Sequence, residues 1–181
     1  MKYFLLTLLS ITLSACNPFI NNEKASNNNA EIKSLTYSRL DGMSGDIFKF
    51  NLETNDDLNK IYQENNYKYS HFKCDNIKNY FVTGAISVEG EKLKKGKYTS
   101  SGYFKVCEDE SMNVCIDKNQ LEKLLTSNMS CRVVFGGLLQ SSKVVADNIL
   151  ISKEAIRKSN FNRVLNEKIS LPIRANFFKW M

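Results

Sequence analysis

The sequence predicts a mainly β fold of the α+β class: a small, partly closed β-barrel or a sheet, with one or two short helices, stapled by disulfides. Three observations lead there. Apolar and polar residues alternate over many short runs, the period of half-buried strands. Four cysteines, Cys74, Cys107, Cys115 and Cys131, lie within and between those runs. Segments across residues 80–151 read in chain order as β-β-β-α-β-β.

Taken in order, IFKFNL at 47–52 puts Phe48, Phe50 and Leu52 on one face. TNDDLNKIYQENN then offers polar capping residues ahead of Leu58, Ile61 and Tyr62, a spacing that suits a short helix. KYSHFKC alternates so that Tyr69, His71 and Lys73 face away from Phe72 and Cys74. YFVTGAISVEG at 80–90 reads as a long strand, and Gly84 inside it marks a bulge or bend. GYFKVC and MNVCI are read as the two arms of a hairpin. DKNQLEKLL carries Asp117 with Gln120 three residues on, a capping-box pattern, followed by Leu121, Leu124 and Leu125 on one stripe. CRVVFGGLL and KVVADNILI are β-rich runs joined through QSS, and SKEAIRK opens a last helix at Ser152. The order over 80–151 resembles the OB-fold, a Greek-key barrel with a helix between its third and fourth strands. That resemblance is one of element order, and an α+β sandwich or a sheet packed on one helix would give much the same string.

The chain opens with Met1 and Lys2, then YFLLTLLSITLSA, a positive start followed by an apolar run of about a dozen residues. A bilayer span needs about 20, so an export signal is expected. Leu13, Ser14, Ala15 and Cys16 resemble the lipobox of bacterial lipoproteins. The resemblance implies removal of residues 1–15, diacylglyceryl on the Cys16 sulfur and an acyl chain on its new amino group, such as palmitate. A single acyl chain binds membranes only marginally, and two or three hold durably. Asn17 departs from the Asp of the inner-membrane retention pattern, so the resemblance implies the periplasmic face of the outer rather than the inner membrane. Residues 17–34, NPFINNEKASNNNAEIKS, hold few apolar side chains. They are expected to be a flexible tether, with a reach of about 20–25 Å. Residues 35–181 are then expected to form a single globular domain.

The whole chain carries 25 basic and 19 acidic residues. Losing residues 1–15 removes only Lys2 and leaves a net charge of +5. KLKKGK at 92–97 is the one dense patch, read as a solvated loop ahead of an anion-binding element. Nucleic acid is disfavoured as a partner on this balance. With Cys16 lipidated, an even four cysteines remain in a compartment that permits disulfides. The favoured pairs are Cys107 with Cys115, across the hairpin, and Cys74 with Cys131. In the chain-entropy picture the two loops contribute about 2.6 and about 4 kcal/mol. His71 precedes Cys74 by three residues, but no second histidine exists and the other spacings do not match a zinc site.

Catalysis is read by elimination. His71, the only histidine, is placed on an exposed strand face, and no serine sits in a G-x-S-x-G context. Asp56 and Asp57 fit a helix N-terminus. Glu108, Asp109 and Glu110 fit a hairpin tip. RLDGMSGD at 39–46 lacks the Lys-Ser/Thr ending of a phosphate loop. Neither a cofactor nor a metal is called for. The tail RANFFKWM, after Pro172, is expected to dock on the core, with an exposed partner patch as its other reading. Two function classes remain. One is a membrane-anchored periplasmic binding lipoprotein without enzymatic activity: an inhibitor, a toxin-immunity protein or an accessory subunit of an envelope complex. Its protein partner would be gripped by Tyr98, Tyr103, Arg132 and Trp180, and its lipid anchor would be Cys16. The other is an enzyme acting on envelope polymers through Asp or Glu carboxylates.

Overall fold

A computed structural model describes residues 30–39, 44–93, 96–109, 111–138 and 140–161. The leader, Cys16, residues 17–29 and the tail with Trp180 lie outside the described residues.

Chain order is β1 (Ala30–Ser38), β2 (Ile47–Thr54), α1 (Leu58–Glu64), β3 (Tyr69–Cys74), β4 (Phe81–Ile86), β5 (Glu91–Lys92) and β6 (Tyr98–Cys107). There follow α2 (Lys118–Leu124), β7 (Met129–Gly137), β8 (Gln140–Ile151), α3 (Lys153–Lys158) and β9 (Asn160–Phe161). The fold is mostly β with three short helices. One mixed sheet runs β8-β7-β3-β4-β6-β2-β1-β9, with β5 added beside β6. Among the described residues only the β1–β9 pairing is parallel. The sheet is open: no ladder joins β1 to β8 among the described residues, although those two strands approach each other.

Strand alternation builds the core directly. Phe48, Phe50 and Leu52 of β2 face Phe104 and Val106 of β6, Phe72 of β3, and Val133 and Phe135 of β7. Phe48 and Phe104 are register partners whose rings stack with centroids 5.0 Å apart. Phe50 meets Phe72 at 4.4 Å. Gly84 of β4 permits the close approach of β6, because a Cβ there would run into the Tyr103 carbonyl. The β4–β6 register is unbroken at that point, so the glycine serves close packing rather than a bulge.

Each helix starts at a side-chain cap and contributes one fully buried residue: Leu58, Leu121 or Ile156. The capping box is present at α2, where Asp117 accepts from the Gln120 amide at 2.8 Å and Gln120 accepts from the Asp117 amide at 2.9 Å. The Asp46 carboxylate, almost fully buried, ties the segment before β2 to this helix. It accepts from Arg39 Nε at 2.9 Å and from the Lys118 amide at 2.7 Å.

Both disulfides are formed, Cys74–Cys131 and Cys107–Cys115, spanning 57 and 8 positions. The first joins directly opposed residues of β3 and β7 on the core side of the sheet. The second closes a short loop after β6.

Four expectations need correction. β1 begins at Ala30, so the segment read as tether to residue 34 already belongs to the sheet from that residue on. MNVCI is not a strand: only an isolated bridge links Cys115 to Cys107, because Met112 adopts a left-handed backbone within the disulfide loop. QSS is not the connection between the last two long strands, since all three residues lie inside β8. Finally, residues 80–151 give the order β-β-β-α-β-β only because the two-residue β5 precedes β6, with no strand at MNVCI, and a five-stranded barrel does not describe it. β1, β2 and β3 join the same sheet, and β3 is inserted between β4 and β7.

Candidate functional site

Because Phe72, Val82, Val106 and Val133 point inward, their neighbours on β3, β4, β6 and β7 point outward. The register then aligns four outward residues in one row across adjacent strands: Lys105 opposite Thr83, Thr83 opposite Lys73, and Lys73 opposite Arg132. At about 4.8 Å per strand the row spans about 14 Å. One row over, Tyr103 stands between Lys49 of β2 and Ala85 of β4. Tyr69 and His71 continue the same face along β3, with their rings 5.0 Å apart.

Ion pairs reach only some cations of the described surface, and Lys49, Lys92 and Lys143 of the sheet have none among the described residues. Arg39 pairs with Asp46, Lys97 with Glu53, and Arg157 with Glu154. Lys73, Lys105 and Arg132 have no ion pair among the described residues, and Lys73 and Arg132 oppose each other directly, an arrangement that costs stability. Asp147 and Asn148 bulge opposite Arg132, where two residues of β8 face one of β7, yet Asp147 stays outside ion-pairing distance.

Lys73 and Arg132 are exposed, whereas Lys105 is 4% exposed. Among the described residues, Ser38 Oγ is the one side-chain polar atom both sealed and unpartnered. Lys105 is thus enclosed among its neighbours, with no ion pair among the described residues.

The proton chemistry of the surface is plain. Burial first, and the neighbouring Lys73 second, hold the His71 imidazole below its ordinary pKa, so it is neutral near pH 7. Asp57 caps α1 by accepting from the Lys60 amide at 3.0 Å. Asp109 is held below the usual carboxylate range, chiefly by the Ser111 hydroxyl and then by backbone amides of the disulfide loop. Both carboxylates thus serve turns and helix ends. Among the described residues no three His, Cys, Asp or Glu side chains converge as metal ligands.

Of the residues singled out from sequence, Tyr103 and Arg132 share this outer face. Tyr98 does not: it sits at the far end of β6, opposite Thr54 and Lys92. Trp180 lies outside the described residues. Sequence reading noticed the alternation of Tyr69, His71 and Lys73 but not the row, which depends on the register of four strands distant in the chain.

No protein-family model, no curated protein and no solved structure matches the chain.

Proposed function

We propose that the chain is an exported lipoprotein, anchored through acylated Cys16 on the periplasmic side of a bacterial envelope membrane, whose β domain binds a protein partner and turns over no substrate. The carrying observation is the cysteine arrangement. Of five cysteines, four close two enclosed disulfides within the described domain, and the fifth stands in LSAC behind an apolar leader. Disulfides persist in oxidising compartments, which supports export, and the remaining cysteine occupies the position where a lipobox carries its lipid. Binding as the mode of action is supported by an outer face that offers Tyr103 and Arg132, residue types that dominate interface energetics. Inhibitor, toxin-immunity protein and accessory subunit of an envelope complex all fit this description.

Fractionation tests the anchor. The wild-type chain should partition with membranes, and Cys16→Ser should leave them. A Cys16→Ser chain that is processed and still sediments with membranes contradicts the reading. Hydrolysis of peptidoglycan, phospholipid or peptide by the purified chain, lost on a conservative carboxylate change such as Glu108→Gln, would contradict the non-enzymatic part.

A further inference from the structure

We propose that the end of the sheet at which β1 begins rests on the bilayer, with the turn leucines Leu138 and Leu93 dipping into the headgroup boundary. The inference rests on the anchored reading given above and adds which end of the domain meets the lipid.

Every ladder from β1 through β2, β6, β4, β3 and β7 to β8 is antiparallel. Ala30, the β5–β6 turn and the β7–β8 turn therefore share one end of the sheet, while Ser38, both disulfides and the last residues of β8 lie at the other. Along one side the register shows this directly: Ala30 stands opposite Thr54, Thr54 opposite Tyr98, and Tyr98 opposite Lys92, the residue before Leu93. Gly137 pairs with Gln140, so two residues make the β7–β8 turn, and they are Leu138 and Leu139. Such turns are ordinarily filled by Gly, Asn or Asp, which accept the backbone angles and the solvation of a hairpin tip. Leu138 is 89% exposed, more than any other large apolar residue among those described, and Leu93 is exposed as well. Charge at this end is balanced. Lys97 pairs with Glu53, Lys33 pairs with Glu31 and Glu53, and Lys68 and Lys92 are matched in number by Glu89 and Glu91. A protruding leucine among balanced charges gains from an apolar layer and little from an anionic one.

Val114, Leu150 and Phe161 are exposed at the opposite end, so the place where the anchor enters decides between the two. The tether meets the domain at Ala30, 13 residues after Cys16. β1 has nine residues and is about 30 Å long. A flexible chain as short as this tether has a root-mean-square reach of about 20 Å, so stretching it along the whole strand to bring the far end down is about thirtyfold rarer than keeping the near end down. Insertion of one exposed leucine favours contact by about a further tenfold. That is too little to recruit a free domain from solution, and enough to orient one that its lipid already holds at the surface.

The test places the full chain in phosphatidylcholine vesicles that carry a doxyl spin label near the headgroup. A bimane fluorophore is attached through Leu138→Cys or, at the opposite end, through Leu150→Cys, the four native cysteines of the domain being closed in disulfides. Spin-labelled lipid should quench the fluorophore at position 138 several-fold more than the one at position 150. One-third phosphatidylglycerol or high salt should leave that difference unchanged. Leu138→Asp should weaken the quenching of a fluorophore attached through Leu93→Cys several-fold. Equal quenching at positions 138 and 150 overturns the proposal. Quenching that needs phosphatidylglycerol and vanishes in salt also overturns it, in favour of an electrostatic contact. Shielding of position 138 from aqueous iodide without quenching by the lipid overturns it too, because a protein then covers the turn. Flotation with the same vesicles reads the anchor separately: a chain that does not float contradicts the anchored reading and this proposal together, whereas a floating chain with equal quenching contradicts the proposal alone.

Discussion

His71 sits on the outer face of β3 against the Tyr69 ring and beside Lys73, and both its burial and that ammonium disfavour its cationic form. The folded state therefore binds this proton less readily than the unfolded chain. Above the ordinary value of 6.5 the imidazole is neutral in both states and pH has no leverage through it. As pH falls through 6.5 the unfolded chain takes up the proton first, and stability declines until the lowered folded value is passed. Thermal midpoints measured from pH 7.5 down to pH 5 should fall less in His71→Gln than in wild type; parallel curves would exclude the effect. Lys105 gives a second expectation. Its stem is buried and it has no partner among the described residues, so Lys105→Met, which keeps the volume and removes the charge, should leave the thermal midpoint unchanged or higher. Phe104 is the opposite case, fully enclosed by three aromatic neighbours. Phe104→Ala should cost about 3–5 kcal/mol in denaturant unfolding.

Helices were readable from local chemistry, because a cap and an apolar stripe both lie within a few residues of the chain. Asp117 with Gln120, and Ser152 ahead of α3, stand where their spacing placed them. Asp117→Ala removes the half of the capping box in which the Asp117 carboxylate accepts from the Gln120 amide, and should lower stability by about 1 kcal/mol. β1 was missed for an equally local reason. Its register shifts between Ile32 and Ser34, so the inward residues Ile32 and Leu35 are three apart and the period of two is broken. MNVCI misled in the other direction: its apolar pattern suggested an arm of a hairpin, whereas Val114 is 49% exposed and the segment is held by the disulfide, not by a ladder. Removing that bond with Cys107→Ser and Cys115→Ser together should cost about 2.6 kcal/mol if chain entropy dominates. A much larger loss would mean that the bond also fixes the crossing of residues 44–46 over this segment, where Ser44 Oγ donates to the Asn113 carbonyl and accepts from the Cys115 amide.

At the scale of the whole molecule, the β class was legible because alternation and turn residues recur along the chain, and the sheet order was not. Nothing near Tyr69–Cys74 indicates that β3 will lie between β4 and β7, because that choice is made by packing Phe72 among Phe50, Phe104 and Val133. The row of Lys105, Thr83, Lys73 and Arg132 inherits that hidden order, and so it emerges only in three dimensions. The proposed export, by contrast, rests on the first sixteen residues and on the number of cysteines. The most direct check of the account is the intact mass of the chain extracted from its own membranes in detergent and alkylated under denaturing, non-reducing conditions. The account predicts a chain that begins at Cys16, carries diacylglyceryl and an amide-linked acyl group, and shows no alkylated Cys74, Cys107, Cys115 or Cys131. An unmodified or alkylated Cys16, or a stoichiometric free thiol at any of the other four, would contradict it.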